Sequence, residues 1–352
     1  MAVKGKYEGK GWMDWDEDIR FRRPEALSAC REELAEEINY WKFLQFKFFE
    51  QWKKLKQYAK EKELQIVGDI PIYVALDSAD VWSHPELFQL DEENLTPLKV
   101  SGVPPDAFSE DGQLWGNPLY DWEKMEQTDF AWWRSRMKAS AKLYDAVRID
   151  HFIGVVQYYA IPYGAVTAKD GEWEKGPGKK LTDALDEAAG ETKIIAEDLG
   201  IFVPEVKELL EETGYPGMKI IEFAFSGDRF NEHLPHMYSP NSVVYGGTHD
   251  NETLVGYFKP EARQWWELQY IADYMGVSHQ HEVVDKVLKT AYASVASVVI
   301  FQAQDILKLD SWARMNTPGT VGNNWRWRMK PGELTQDHIN HLSWLVDTFG
   351  RF

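Results

Sequence analysis

Residues 144–152 read "YDAVRIDHF", and the fold can be worked out from this stretch. Its alanine, valine and isoleucine residues give it the apolar surface of a buried strand, whereas charged side chains gather where the apolar run ends. Because successive side chains of a strand point to opposite faces, Arg148 and Asp150 point the same way. The stretch therefore predicts a buried strand with an arginine and an aspartate at its carboxyl end.

Five other stretches have the composition of short strands, and helical patterns separate most of them. Strands that alternate with helices imply parallel pairing and right-handed crossovers, hence a doubly wound sheet or a barrel. The predicted strands are "LQIVGDIPIYV" (64–74), "TKIIAED" (192–198), "GMKIIEFAF" (217–225), "SVVYGGTHD" (242–250) and "ASVVIFQAQDIL" (296–307), and the predicted helices lie near 23–62, 128–144, 182–189, 204–213 and 282–294.

Acidic side chains occur at or near the carboxyl ends of these strands. In a TIM barrel this end collects catalytic side chains, because all the βα loops open on that face. An open sheet would spread the same acids along a line, so we predict an α/β fold of the TIM (β/α)8 type. The residues concerned are Asp69 within the first strand, Asp150, Glu197 and Asp198 at strand ends, Glu222 within the fourth strand, and His249 with Asp250 after the fifth.

This set of acids suits glycoside chemistry. A retaining enzyme needs one ionised carboxylate as nucleophile and one protonated carboxylic acid as proton donor. Arg148 would keep Asp150 ionised, and the apolar strand before Glu197 would raise the pKa of that carboxyl. Asp250, with His249 beside it, could bind sugar hydroxyls and stabilise a developing oxocarbenium ion.

Each acid also has a structural interpretation. Asp150 could form a buried ion pair with Arg148, Glu197 could cap a following helix, and "THDN" (248–251) could be a turn in which Asn and Asp take turn roles. These alternatives stay open at the level of the sequence.

A metal site is the main rival use of the same residues. Asp150, His151, His249 and Asp250 could bind a divalent cation, as in barrel hydrolases. No metal-binding spacing motif occurs at a strand end, and no glycine-rich nucleotide motif follows a strand. We therefore expect neither a metal nor a cofactor.

Composition limits the classes of partner. The chain has 352 residues and a formal net charge of −18, which argues against a nucleic-acid partner because such proteins need clustered Lys and Arg. The single cysteine, Cys30, allows no internal disulfide. The first residues lack the apolar core of a secretion signal, and no run of about eighteen apolar residues could form a membrane span. We expect a cytoplasmic protein without membrane contact.

Three stretches carry a resemblance to a known family. In their order and separation, "YDAVRIDHF", "IIAEDLG" and "GGTHDN" resemble the catalytic regions of the 4-α-glucanotransferases, the amylomaltase or disproportionating-enzyme family (glycoside hydrolase family 77) related to the α-amylases. The resemblance runs from about residue 64 to 329. It implies transfer of an α-1,4-glucan segment to the 4-hydroxyl of an acceptor glucan or glucose through a covalent glucosyl intermediate.

The resemblance also assigns roles to residues. It implies that Asp150 is the nucleophile, Glu197 the acid/base and Asp250 the transition-state stabiliser. Arg148 and His249 would support the donor sugar. The expected substrates are α-1,4-glucans and maltooligosaccharides.

A loop at 102–122 would lie over the site. By the same resemblance Phe108 and Trp115 are candidate sugar platforms, and Asp106 and Asn117 could bond sugar hydroxyls. A rigid loop pinned by Pro and Gly, with simply buried aromatics, is the structural alternative. A loop that excludes water would favour transfer over hydrolysis.

The chain departs from the family at its beginning, where members carry a further segment with the first barrel strands. The resemblance therefore predicts a single, partial catalytic barrel domain over 1–352, with about six of eight strands and long inserted loops. The absent segment could act in trans. An inactive or glucan-binding remnant, or a hydrolytic α-glucosidase or amylase-like enzyme, are the alternative functions.

Overall fold

The computed structural model describes residues 1–105 and 109–351, and it divides into two compact units, Met1–Thr213 and Gly214–Phe352. The strands are β1 (Val67–Ile70), β2 (Lys99–Val103), β3 (Gln113–Pro118), β4 (Ala146–Ile149), β5 (Gln157–Pro162), β6 (Glu172–Lys175), β7 (Lys193–Ala196), β8 (Gly217–Ile220), β9 (Ser242–Tyr245) and β10 (Val298–Ile300). The α-helices are α1 (Ala2–Lys6), α2 (Glu17–Arg20), α3 (Pro24–Glu33), α4 (Ala35–Glu61), α5 (Ala79–Ser83), α6 (Trp122–Gln127), α7 (Ala131–Leu143), α8 (Ile153–Val156), α9 (Lys179–Ala189), α10 (Pro204–Thr213), α11 (Leu254–Tyr257), α12 (Trp265–Met275), α13 (Val283–Ala293), α14 (Ala303–Ile306) and α15 (Gln336–Phe349).

The first unit contains a parallel sheet of order β1-β4-β7. All four residues of the central strand β4 are buried, as expected for a parallel strand that is covered on both faces. Helix α7 packs against α9 and against strands β1 and β4. Because Asp69 is the register partner of Arg148 in this sheet, the two side chains are brought to the same level.

A second, antiparallel sheet of order β3-β2-β5-β6 completes the first unit. Residues 75–121, which the sequence reading leaves irregular, contain two of its strands, and β5 and β6 were not predicted either. The prediction failed because β2 pairs with β5, whose residues lie about 60 positions later in the chain, and short antiparallel strands between prolines have little local signature.

The second unit contains a parallel sheet of order β10-β9-β8. Its core joins the sheet to helices α11, α12 and α13 through buried residues such as Phe225, Val244, Phe258, Ile271 and Leu288. The sequence predicted Glu222 within the fourth strand, but the residue lies in the 3₁₀ turn Ile221–Phe223 directly after β8. The helices α12 and α15 were not predicted.

The six strands predicted from the sequence are all present in parallel sheets, three in each unit. They are β1, β4 and β7 in the first unit and β8, β9 and β10 in the second. In the part of the chain that the structure describes, no helix is long and apolar enough to cross a membrane.

Helix α4 has an unusual surface. The sequence predicts one helix near 23–62, but the structure divides this stretch at Leu34, whose φ of −100° and ψ of +20° depart from helical values, into α3 and the 27-residue α4. Ala59 is the one buried residue of α4. Large apolar side chains of this helix remain exposed, namely Tyr40, Phe43, Leu44, Phe46, Phe48, Phe49, Leu55 and Tyr58.

Candidate active site

Strand β4 places Arg148 between two carboxylates. Its Nε and Nη2 donate to the two oxygens of Asp69 at 2.9 and 2.6 Å, and Nη2 also donates to Asp150 Oδ1 at 3.0 Å. The guanidinium is buried, while about two fifths of each carboxylate side chain stays exposed. Burial would lower the pKa of Arg148, but Asp69 and Asp150 outweigh it and raise this pKa above its ordinary value.

Glu197 follows β7 at the same level at which Asp150 follows β4. Its backbone N–H donates to Ile149 O at 3.0 Å, and its carboxylate accepts the backbone N–H of His151. The pKa of Glu197 is raised to about 8, chiefly by burial and in addition by the charge of Asp150, while Arg148 opposes the shift. The sequence predicted this direction of shift from the apolar strand before Glu197.

His151 forms the turn after Asp150, with a left-handed φ of +52°. Burial lowers the pKa of its imidazole to about 4, so the ring is neutral at pH 7. Its buried Nε2 has no hydrogen-bond partner among the described residues. The ring of Trp115 meets it edge to face, with the centroids 4.7 Å apart.

The residues between 102 and 122 are not a simple loop. Gly102 and Val103 end β2, and residues 113–118 return as β3 in antiparallel register. Trp115 is partly exposed, and its ring contacts His151, the residue after Asp150. One predicted sugar platform therefore lies beside the predicted nucleophile. Asn117 Oδ1 accepts the Ser101 hydroxyl at 3.3 Å. Asp106 and Phe108, also predicted site residues, lie outside the described residues.

In the second unit, Asp250 lies in the turn after β9. Asn316 Nδ2 donates to Asp250 Oδ1 at 2.6 Å, and Arg314 Nη2 donates to the backbone oxygen of Asp250 at 2.7 Å. His249 Nε2 lies 3.4 Å from Asp250 Oδ2, and the imidazole lies 5.0 Å from the ring of Trp325. Hydrogen bonds from Asn316 and Arg314 therefore hold Asp250, while 43% of its side chain remains accessible.

Two buried carboxyls lie close to this turn. Burial raises the pKa of Glu222 well above its ordinary value, and the charge of Asp305 adds to that effect. Burial also raises the pKa of Asp305 to about 7. Asp305 Oδ1 accepts the backbone N–H of Leu254 at 2.8 Å, and Glu222 Oε2 accepts Asn251 Nδ2 at 3.2 Å.

The structural alternatives raised from the sequence can be compared with these contacts. The ion pair between Arg148 and Asp150 exists, and Asn251 Oδ1 has a turn role because it accepts Thr248 N–H at 2.9 Å. The Glu197 carboxylate accepts a turn N–H, whereas the next helix, α10, begins only at Pro204. The described residues contain no group of three or more His, Cys, Asp or Glu side chains that could hold a metal ion.

Sequence reasoning missed several residues of these clusters. Arg314 and Asn316 lie more than 60 positions from Asp250, so no local pattern connects them. They belong to "ARMNTPG" (313–319), a stretch within the resemblance that indicated family membership but no contact. The position of Asp69 within the first strand was noted, but its bond to Arg148 was not predicted.

Comparisons with known proteins agree with one another. The sequence profile of the 4-alpha-glucanotransferase family matches residues 1–335. The 4-alpha-glucanotransferase of Clostridium butyricum is 48% identical over 351 residues, which cover 100% of this chain and 72% of that protein. The 4-alpha-glucanotransferase of Synechocystis sp. is 47% identical over 353 residues, which cover 100% of this chain and 70% of that protein.

A solved structure gives the same result. The amylomaltase from Streptococcus agalactiae, in complex with acarbose, matches with a TM-score of 0.95 at 42% identity, over 100% of this chain and 71% of that chain. The fold is therefore the TIM-barrel-like α/β fold of the amylomaltases. Together these matches show that the chain belongs to the 4-alpha-glucanotransferase family, whose members are glycosyltransferases of α-1,4-glucans.

Proposed function

We propose that this chain transfers a segment of an α-1,4-glucan to the 4-hydroxyl of another glucan or of glucose, with retention at the anomeric carbon. Asp150 attacks that carbon, and the glucosyl group becomes bonded to its carboxylate. Glu197 gives its proton to the departing glycosidic oxygen. It then takes the proton from the acceptor hydroxyl, which displaces Asp150 and restores the α-linkage.

One observation carries this proposal: two carboxyls that follow adjacent strands have opposite electrostatic surroundings. Asp150 accepts a charge-assisted hydrogen bond from Arg148, which suits an ionised nucleophile. Glu197 has a pKa raised to about 8, which keeps it protonated at neutral pH. Such a division of protonation states is the requirement for retaining glycoside chemistry.

The remaining roles rest on motif and on local geometry. Asp250 is assigned the stabilisation of the oxocarbenium-like transition state, and Asn316 and Arg314 keep it in place. Trp115 offers a partly exposed indole for the C–H face of a glucose ring. Arg148, His249 and Asn117 are assigned to substrate binding, and the predicted binding roles of Asp106 and Phe108 are kept as part of the proposal.

The finer architecture is also proposed. We infer a single catalytic domain over 1–352 in which the six parallel strands form part of the barrel and the antiparallel sheet is an insertion. The comparisons lend no support to a separate N-terminal segment that acts in trans. A cytoplasmic location, which the cysteine content favours, stays a prediction.

The test is incubation of the purified chain with maltotriose, followed by chromatography of the products. Transfer predicts glucose together with maltotetraose, maltopentaose and longer maltooligosaccharides, and an Asp150→Asn variant should abolish them. Glucose and maltose without longer products would indicate a hydrolytic amylase-like enzyme instead. No turnover, combined with retardation on an amylose gel, would indicate a glucan-binding remnant.

A further inference from the structure

A chain of hydrogen bonds joins the buried carboxyl of Glu222 to the backbone of Asp250. Asn251 Nδ2 donates to Glu222 Oε2 at 3.2 Å. The Thr248 hydroxyl donates to Asn251 Oδ1 at 2.9 Å, and the same hydroxyl accepts the backbone N–H of Asp250 at 3.3 Å. A hydroxyl has one proton to donate, so the Thr248 hydroxyl donates to Asn251 and can only accept from Asp250.

Glu222 is itself well fixed. It is 3% exposed, its backbone N–H donates to Gly246 O at 3.2 Å, and its backbone oxygen accepts the hydroxyl of Tyr257. The turn also lies directly against its carboxyl, because a Cβ on Gly247 would come within 2.7 Å of Glu222 Oε1. The carboxyl therefore packs against the turn that follows β9 from a fixed backbone, with Oε2 bonded to Asn251 and Oε1 without a hydrogen-bond partner among the described residues.

We propose that Glu222 is a positioning residue that acts through Asn251 and Thr248 to hold the backbone of Asp250. This inference rests on the role proposed above for Asp250. A carboxylate that stabilises a transition state must be held within a fraction of an ångström, and small displacements reduce the rate strongly.

The chemistry of the site favours a positioning role over simple packing. A buried carboxyl is costly, and an apolar side chain of similar volume would usually give equal or greater stability. Burial raises the pKa of Glu222 well above its ordinary value, which favours the neutral carboxyl. A neutral carboxyl still has an acceptor oxygen for Asn251, and so does a glutamine amide.

The test compares Glu222→Leu, which removes the acceptor, with Glu222→Gln, which keeps one. Two readouts are taken: hydrogen exchange of the peptide that spans residues 246–254, and kcat and KM for maltotriose disproportionation. We expect the leucine variant to exchange faster in this peptide and to lose about tenfold in kcat, with KM within about twofold. The glutamine variant should restore both readouts to within about threefold of the parent chain.

Thr248→Val breaks the next link and provides an independent variant if Glu222→Leu fails to fold. Its loss in kcat should equal that of Glu222→Leu, and the double variant should lose no more than either single variant, because one chain of bonds is broken twice. Asp305→Asn is the matched control, since it changes a neighbouring buried carboxyl and leaves the chain of bonds intact. Its amide oxygen can still accept the Leu254 N–H that Asp305 Oδ1 accepts, so exchange in 246–254 should not change.

The proposal would be overturned if both Glu222→Leu and Thr248→Val kept the hydrogen exchange and the kcat of the parent chain. It would also be overturned if the glutamine variant were as impaired as the leucine variant. Equal changes in Asp305→Asn would also overturn it, since the effect would then be general. An inactive parent chain would refute the proposed function separately, because the exchange comparison still decides whether Glu222 holds the turn.

Discussion

The difference between Glu197 and Asp150 comes from their immediate neighbours. Glu197 is desolvated by burial and accepts one backbone N–H, whereas Asp150 shares the guanidinium of Arg148 with Asp69. Two carboxyls at equivalent positions on adjacent strands can thus hold opposite protonation states at neutral pH.

This difference predicts the alkaline limit of activity. Because the pKa of Glu197 is raised to about 8, its carboxyl is protonated below this pH and loses its proton above it. We therefore expect kcat/KM for maltotriose to fall as pH rises through about 8. Glu197→Gln should lower the rate by about 10²–10⁴-fold and remove this limb from the residual activity. The control is Asp305→Asn, which should keep the limb. Activity that stays constant up to pH 10 would contradict the assignment.

Replacement of Arg148 by lysine should not be tolerated. A lysine keeps the charge but cannot donate in two directions from a planar group, so Asp69 and Asp150 would lose their shared partner. We expect Arg148→Lys to reduce kcat by about tenfold or more and to lower the free energy of unfolding by about 2 kcal/mol, measured by urea denaturation.

Arg134→Lys is the matched control for that experiment. Arg134 also pairs with two carboxylates, Asp129 and Glu187, but both of these are largely exposed. Its replacement should change the free energy of unfolding by less than about 1 kcal/mol. Equal losses in the two variants would show that the buried position of Arg148 between Asp69 and Asp150 does not matter.

The helices α4 and α7 differ sharply in what they bury. Phe46 on α4 is 63% exposed, whereas Trp133 on α7 is 1% exposed. Phe46→Gln should therefore change the free energy of unfolding by less than about 0.5 kcal/mol, and Trp133→Ala should lower it by about 3–5 kcal/mol. Urea denaturation of both variants measures the difference. A large loss for Phe46→Gln would mean that this side of α4 is covered in solution.

Strand β2 has no room for a side chain at Gly102. A Cβ there would come within 2.2 Å of Gln113 O and 2.5 Å of Ile161 Cδ1, on the two strands that flank β2. Gly102→Ala should cost about 1–3 kcal/mol and weaken glucan binding, because β3 carries Trp115. Thermal unfolding and isothermal titration with maltoheptaose check both effects. Gly5→Ala, where nothing lies within 4 Å, should change neither quantity.

The net charge of −18 acts on the molecule as a whole. Acidic residues number 57 against 39 Lys and Arg, so the folded chain repels itself at low ionic strength. We expect the midpoint of urea unfolding at pH 7.5 to rise between 10 and 300 mM NaCl. The same series near pH 5, where the net charge is small, should show little change. A midpoint that falls with salt at pH 7.5 would mean that attractive ion pairs dominate.

The local sequence was enough to predict the parallel strands and the acids that follow them. Parallel strands buried on both faces appear as short apolar runs, and β4 and β7 each end where the run meets a charged residue. Asp150 and Glu197 could thus be named from the positions at which β4 and β7 end. The three motifs around these positions also indicated the family.

Only the tertiary structure determined which partners these residues have. The bonds from Asp69 to Arg148, from Asn316 to Asp250 and from Asn251 to Glu222 join positions 79, 66 and 29 residues apart. The pairing of β2 with β5 joins residues about 60 positions apart. Local periodicity reports which face of an element is buried, but it contains no information on what lies across that face, because distant contacts form only when the chain packs.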